Sequence, residues 1–492
     1  MISKGTLGNR KEFILASIIV LCGLILRVNK IGQNSFWFDE ANVALASAET
    51  TFGGMIEVAK SHAMAMPLNY LVTWLMSRIG QDEGWLRIPA AIWGTGSIIV
   101  VYLLSRMLFR LRYVILVSSL LAISPVLIWK SQDMRFWSVA VFFYILVTYL
   151  MLNAIQYPSR TKWFWVGITA IIGSYFNLFV LFAFVNGFMW ILITNESSHI
   201  NKSSLRSFLI CGFCVGIAIL PGVLIFGSDL NYKYEPTLAK AFIAITGGLG
   251  WLPVYSDSVN YGWFYGVFLF ILSSIGVYFA IKERNRQMIS LLISMVIQII
   301  LIVAAIFWKS YFFTPRQFLI LVPLNFIIIG WVISRIFDNY EPKSLRFFRS
   351  NPGEISGFLQ LVILFLILGL ITANFPSLND YYQHKKSYGW EISQILSEEW
   401  TDGDTIWVFP SWEPTLFRYY LERKMNDYRL NNSFTGIDFS NMNILDKSGK
   451  VFLITNSGFL TYDLKNQINN SGFSEYPVSN SEFPPHQLWV LE

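Results

Sequence analysis

The chain of 492 residues is 54% hydrophobic and 17% aromatic but only 14% charged, with a mean hydropathy of +0.48; soluble domains carry about 25% charged residues, so an ordinary soluble protein is excluded. The net charge of +6 and pI near 9.0 do not indicate nucleic acid, because the basic residues fall in short loops between apolar runs, where membrane topology accounts for them. Cys22, Cys211 and Cys214 lie in apolar segments without paired CxxC spacing, so neither a disulfide framework nor a thiolate metal site is expected.

The chain opens with Lys4, Arg10 and Lys11 before an apolar run ending at Arg27-Val28-Asn29-Lys30; with no small-residue cleavage site, this reads as a retained span with a cytoplasmic start. Runs long enough to cross roughly 30 Å of hydrocarbon then recur, at 13–29, 88–109, 113–128, 136–155, 162–176, 178–194, 207–226, 263–281, 288–308, 317–337 and 357–373, about eleven in all. The division between 162–176 and 178–194 rests on the thin turn at Tyr175-Phe176-Asn177, and one broken helix is the alternative. Charge supports the eleven-span reading: Arg106, Arg110 and Arg112, Arg160 and Lys162, Lys202 and Arg206, Lys282, Arg284 and Arg286, and Arg335, Lys343, Arg346 and Arg349 all fall on the cytoplasmic side. The loops 30–87 and 227–262 and the tail from 374 then lie outside, in the plasma (bacterial inner) membrane topology this implies.

In the first outer loop, 49–65 reads as an amphipathic stretch and Pro67–Arg78 as a helix opened by proline, both too short to span and expected to lie at the interface. From 374 the composition turns polar. Thr405–Phe409, Val451–Thr455 and Gln487–Leu491 read as strands alternating with helices near 390–400, 414–423 and 461–469, which predicts a small extracytoplasmic α/β domain at 374–492 beside a transmembrane module at 1–373. No phosphate-binding glycine motif accompanies it.

Two acids, Asp39 and Glu40, follow the aromatic run Phe36-Trp37-Phe38 just past the first span, with Ala41–Ala48 as a helical continuation. Solvated loop acids are the plain alternative; the aromatic flank, which would seat the pair at interface depth, favours function. Ser131-Gln132-Asp133-Met134-Arg135 falls on the same predicted face, preceded by Lys130, and here a local ion pair competes with a site. Arg316, in Thr314-Pro315-Arg316-Gln317, falls there too. A sugar carried on a polyprenyl phosphate already has a good leaving group, and its transfer needs a carboxylate to take the acceptor's proton and cations to hold the departing phosphate. Asp39 suits the base, with Glu40 and Asp133 as further candidate catalytic acids and Arg135, Arg316 and Lys130 as candidate phosphate ligands. No cofactor is expected, a divalent metal is left open, and His62, His199, His384 and His486 are too scattered for a ligand cluster.

Phe36-Trp37-Phe38-Asp39-Glu40-Ala41, Leu86-Arg87-Ile88-Pro89 to Gly94 with Val101–Arg106, Gln132–Phe136 and Thr314–Arg316 through Pro323 occur in an order that resembles the dolichyl-phosphate-mannose protein mannosyltransferase and aminoarabinose transferase superfamily, a glycosyltransferase family 39-like group of polytopic GT-C enzymes. The resemblance covers roughly residues 10–330 and implies an inverting glycosyltransferase in the lipid bilayer, using a polyprenyl-phosphate sugar donor and a glycan, lipid or protein acceptor, with Asp39 as base. His62-Ala63-Met64-Ala65-Met66-Pro67 replaces the family's His-Pro-Pro, and Phe176-Asn177 its His-Tyr, which bears on acceptor recognition. The alternatives are a transporter or flippase of lipid-linked sugars, disfavoured by the absence of an evident repeat, and a polysaccharide polymerase or ligase, for which a large late outer loop is expected.

Overall fold

The computed structural model describes residues 10–61, 66–194, 202–226, 237–248, 259–309, 314–339, 374–376, 378–379, 381–383, 387–411, 414–425, 434–437, 449–456, 460, 462–478 and 486–491, without the side chains of 242–243, 246–248, 259–270 and 336–339. The expected span at 357–373, most of the loop at 227–262, Lys343, Arg346 and Arg349, and His62, His199 and His384 lie outside the described residues.

The helices run α1 (Arg10–Val28), α2 (Phe38–Ala48), α3 (Phe52–Ser61), α4 (Pro67–Ser77), α5 (Glu83–Leu108), α6 (Leu111–Ala122), α7 (Pro125–Ser131), α8 (Trp137–Gln156), α9 (Arg160–Phe176), α10 (Ala183–Thr194), α11 (Lys202–Phe226), α12 (Leu238–Gly248), α13 (Val259–Lys282), α14 (Arg286–Trp308) and α15 (Val322–Asn339). Among the described residues, five stretches are long and apolar enough to cross a membrane: Glu83–Leu108, Trp137–Gln156, Lys202–Phe226, Arg286–Trp308 and Pro315–Arg335. A sixth arises if α6 and α7 count as one span. The one span expected at 113–128 covers parts of both, and the two helices are bent by 55°. Proline has no N–H and pushes the preceding residue out of the helical region; Ser124 accordingly sits at ψ 115° ahead of Pro125. The chain also breaks at Asn177, which is extended and accepts a hydrogen bond from the Phe179 amide, and it re-enters α10 through the 3-10 turn Leu178–Phe182.

The chain divides into two compact units. The first comprises residues 1–29, 63–69 and 89–381; the second, 30–62, 70–88 and 382–492. In the first, α8 packs on α9, α10 on α14, α13 on α15 and α15 on α6. Apolar side chains gain nothing by choosing one another over lipid, so interhelical hydrogen bonds add specificity to such packing. Asn186 on α10 donates to Tyr144 Oη and Thr148 Oγ1 on α8 and accepts from Ser294 and Gln298 on α14, all within 2.8–3.0 Å.

In the second unit, a five-stranded sheet is formed by β1 (Thr405–Phe409), β2 (Phe434–Gly436), β3 (Val451–Asn456), β4 (Ser474–Tyr476) and β5 (His486–Leu491), in the order β2-β1-β3-β5-β4. β1 runs parallel to both β2 and β3, whereas β5 is antiparallel to β3 and β4. The register aligns Trp407, Leu453 and Trp489 across the three central strands. With Val451, Ile468 and Phe473 they form the core of one face. The segment Phe38–Ser61, which composition alone grouped with the bundle, falls in this same unit, where α2 packs on the helical stretch Pro414–Lys424.

Candidate functional site

Trp37 is the extended residue before α2, so Asp39 and Glu40 occupy the first turn of the helix. A helix N-terminus leaves amides unpaired and favours negative charge there. The two acids are nonetheless unequal. Glu40 at the third helical position is completely buried and lies within 3.4 Å of the Trp37 amide, which points at its Oε2. The Arg87 guanidinium grips the same carboxylate in two places, Nε to Oε1 at 2.8 Å and Nη2 to Oε2 at 2.6 Å. Arg87 also donates to the carbonyls of Ile31, Asn34 and Ser35. Asp39, one residue earlier, is only half-buried. An arginine with five fixed donors is the side chain that can satisfy a carboxylate and several carbonyls together.

Phe36 is fully buried, and its ring lies against Tyr419 at 5.4 Å, Tyr420 at 6.3 Å and the Arg87 guanidinium at 5.2 Å. Its amide donates to Tyr420 Oη at 2.6 Å, and that hydroxyl donates to Glu83 Oε1 at 3.0 Å. Lys424 Nζ reaches the same carboxylate at 2.6 Å. Burial, and then the charge of Glu83, push the Tyr420 hydroxyl well above the ordinary tyrosine value, against the opposing Phe36 amide and Arg87; burial and the acids Glu83 and Asp82 raise Tyr419 as well. Sequence reading singled out none of Glu83, Tyr420 and Lys424, and saw Arg87 only inside the Leu86-Arg87-Ile88-Pro89 pattern.

The remaining candidates lie in the first unit. Lys130, at the end of α7, is buried and paired with Asp133 at 2.9 Å. Asp133 is completely buried and also accepts from the Arg135 amide at 3.0 Å. Gln132 donates to the carbonyls of Arg27 and Asn29 and accepts from Tyr381 Oη at 2.8 Å. Arg27, itself buried, donates to the carbonyls of Leu121 and Ala122 where α6 ends and its carbonyls lack helical partners. Gly94 packs against Ser131, and a Cβ there would collide with the Ser131 side chain.

Arg135 and Arg316 are half-buried. The Arg135 guanidinium lies 4.8 Å from the Phe136 ring and that of Arg316 lies 6.0 Å from the Trp137 ring, the two rings being 5.1 Å apart. Both cations therefore flank one aromatic pair, whose ring faces attract guanidinium groups. Arg316 is the second residue of the 3-10 turn Pro315–Leu321, where Gln317 Oε1 accepts from the Thr314 amide. Among the described residues, no three His, Cys, Asp or Glu side chains are placed to hold a metal ion together.

Residues 61–225 match the family model described as dolichyl-phosphate-mannose-protein mannosyltransferase. ArnT from Cupriavidus metallidurans in the apo state is 11% identical, with a TM-score of 0.56 covering 96% of this chain and 97% of that one. The same protein bound to undecaprenyl phosphate aligns with a TM-score of 0.52 over 98% of each chain. The archaeal oligosaccharyltransferase AglB from Archaeoglobus fulgidus, in complex with an inhibitory peptide and a dolichol-phosphate, gives 0.56 at 11% identity, over 91% of this chain and 69% of that one. No curated protein matches by sequence.

Proposed function

We propose that this chain, which has the fold of the GT-C glycosyltransferases, is a membrane glycosyltransferase that moves a sugar from a polyprenyl-phosphate donor to a glycan, lipid or protein acceptor at the outer face of the plasma membrane. Support comes from similarity along nearly the whole chain to ArnT, solved with undecaprenyl phosphate, and to AglB, solved with a dolichol-phosphate. The observation that carries the residue assignment is the difference in exposure within α2: Glu40 is fully buried and ion-paired with Arg87, and Asp39 in the same helical turn is half-buried and so within reach of a substrate.

In this reading Asp39 takes the proton of the acceptor O–H or N–H as that atom attacks the anomeric carbon. The bond from that carbon to the phosphate oxygen breaks with inversion, and polyprenyl phosphate leaves with the bonding pair. Arg135 and Arg316 meet its negative charge. A carboxylate at a helix N-terminus is favoured as the anion, the form a base needs. Lys130 and Asp133, expected from the sequence to bind phosphate and to act in catalysis, are instead read as a buried pair that shapes the turn presenting Arg135. Removing either partner of such a pair leaves a buried charge uncompensated, so both are needed for structure.

The test is reconstitution with labelled undecaprenyl-phosphate sugars. The expected result is release of undecaprenyl phosphate in step with a product of inverted anomeric configuration. Labelled lipid that crosses the bilayer unconsumed would instead establish a transporter.

A further inference from the structure

The proposed chemistry leaves unused a line of contacts that begins at the Phe36 amide. This amide precedes α2 and has no place in its hydrogen-bond ladder, so it needs a partner from elsewhere. That partner is Tyr420 Oη, 384 residues along the chain, which accepts from it at 2.6 Å. The tyrosine hydroxyl then donates to Glu83, and Lys424 closes the line on the same oxygen. Glu83 opens α5, and Arg87 one turn later holds Glu40. The residues before Asp39 are thus tied through Phe36 to the C-terminal segment, and the residue after it to α5. Ser35 adds a tie, its hydroxyl donating to Glu391 and accepting from the Trp390 amide. Trp390 in turn packs on Tyr420 and lies 4.7 Å from Lys424 Nζ.

We infer that Tyr419–Lys424 is a clasp that sets the position of Asp39, making Tyr420 a positioning residue for the proposed base. The inference rests on the reading of Asp39 as that base. It gives the C-terminal region a role in the transfer step itself. A buried tyrosine kept protonated suits the task, because only the hydroxyl can accept from Phe36 and donate to Glu83 together. Small displacements of a catalytic group are costly, about 10²-fold for 1 Å, so a hold on the backbone three residues away matters to rate.

The experiment compares wild type, Tyr420→Phe and Lys424→Met as full-length protein in lipid nanodiscs, by hydrogen exchange and by turnover of undecaprenyl-phosphate sugars. Tyr420→Phe is expected to speed amide exchange over 35–40 by about tenfold, leave β1, β3 and β5 unchanged, and lower kcat about tenfold with KM within about twofold. Lys424→Met, which keeps the tyrosine, is expected to give a smaller change of the same pattern. Unchanged exchange over 35–40, or equal loosening of the sheet, overturns the clasp. Exchange that speeds locally while kcat holds overturns the positioning role. An inactive Asp39→Asn beside a fully active Tyr420→Phe removes the positioning role alone, whereas an Asp39→Asn variant with wild-type turnover removes the base and the positioning role with it.

Discussion

At residue scale the two adjacent acids of α2 separate by environment. Glu40 is buried against a guanidinium that it shares with three carbonyls, and a lone buried charge is far less tolerable than a buried pair. Glu40→Ala is therefore expected to destabilise the fold by about 3–5 kcal/mol, and Arg87→Ala by a comparable amount. Thermal unfolding in detergent measures this, and a loss below about 1 kcal/mol for either variant would mean that the pair contributes no more than an exposed one. Asp39 and Glu40 could be picked out as a candidate site from their aromatic flank and their place after an apolar run. Which of them is locked away could not, because Arg87 stands 47 residues further on. Lys130 is a different case: its partner Asp133 is only three residues away, and a basic residue beside an acid reads alike as a ligand or as an ion pair, so that only its burial, which comes from tertiary packing, was hidden.

At the scale of elements, the stretch Tyr419–Lys424 and the starts of α2 and α5 are joined by tyrosines whose hydroxyls are raised by burial and by Glu83. A folded value above the unfolded one means that the unfolded chain loses its protons first. The stability from these tyrosines is therefore fully present below about pH 10 and is lost as pH rises from there through their folded values. The melting temperature is expected to fall across that alkaline window, with the fall shallower in Tyr420→Phe. Equal slopes in the two proteins would contradict the shift. Short elements were the ones that sequence reading missed: β2 and β4 span three residues each, too few to show alternation, and the bend at Ser124-Pro125 lay inside an uninterrupted apolar run. The strands β1, β3 and β5, which carry long β-branched and aromatic runs, were read to within a residue of their ends.

At the scale of the molecule, hydropathy was informative because the bilayer demands long apolar helices with internally satisfied backbones. Most of the long helices follow from it, and the whole chain is similar in fold to ArnT and AglB. The grouping of 30–62 and 70–88 with the C-terminal sheet could not follow from composition, since it depends on contacts such as Phe36 with Tyr420. That grouping turns the C-terminal region from an appendage into part of the scaffold around α2. The central claim is that Asp39 is the base of a sugar transfer, and its most direct measurement is single-turnover transfer from an undecaprenyl-phosphate sugar by wild type and Asp39→Asn, each reconstituted and shown to be folded. The account predicts a loss of about 10²–10⁴-fold for Asp39→Asn, the range that a positioned general base supplies; transfer at the wild-type rate would contradict it.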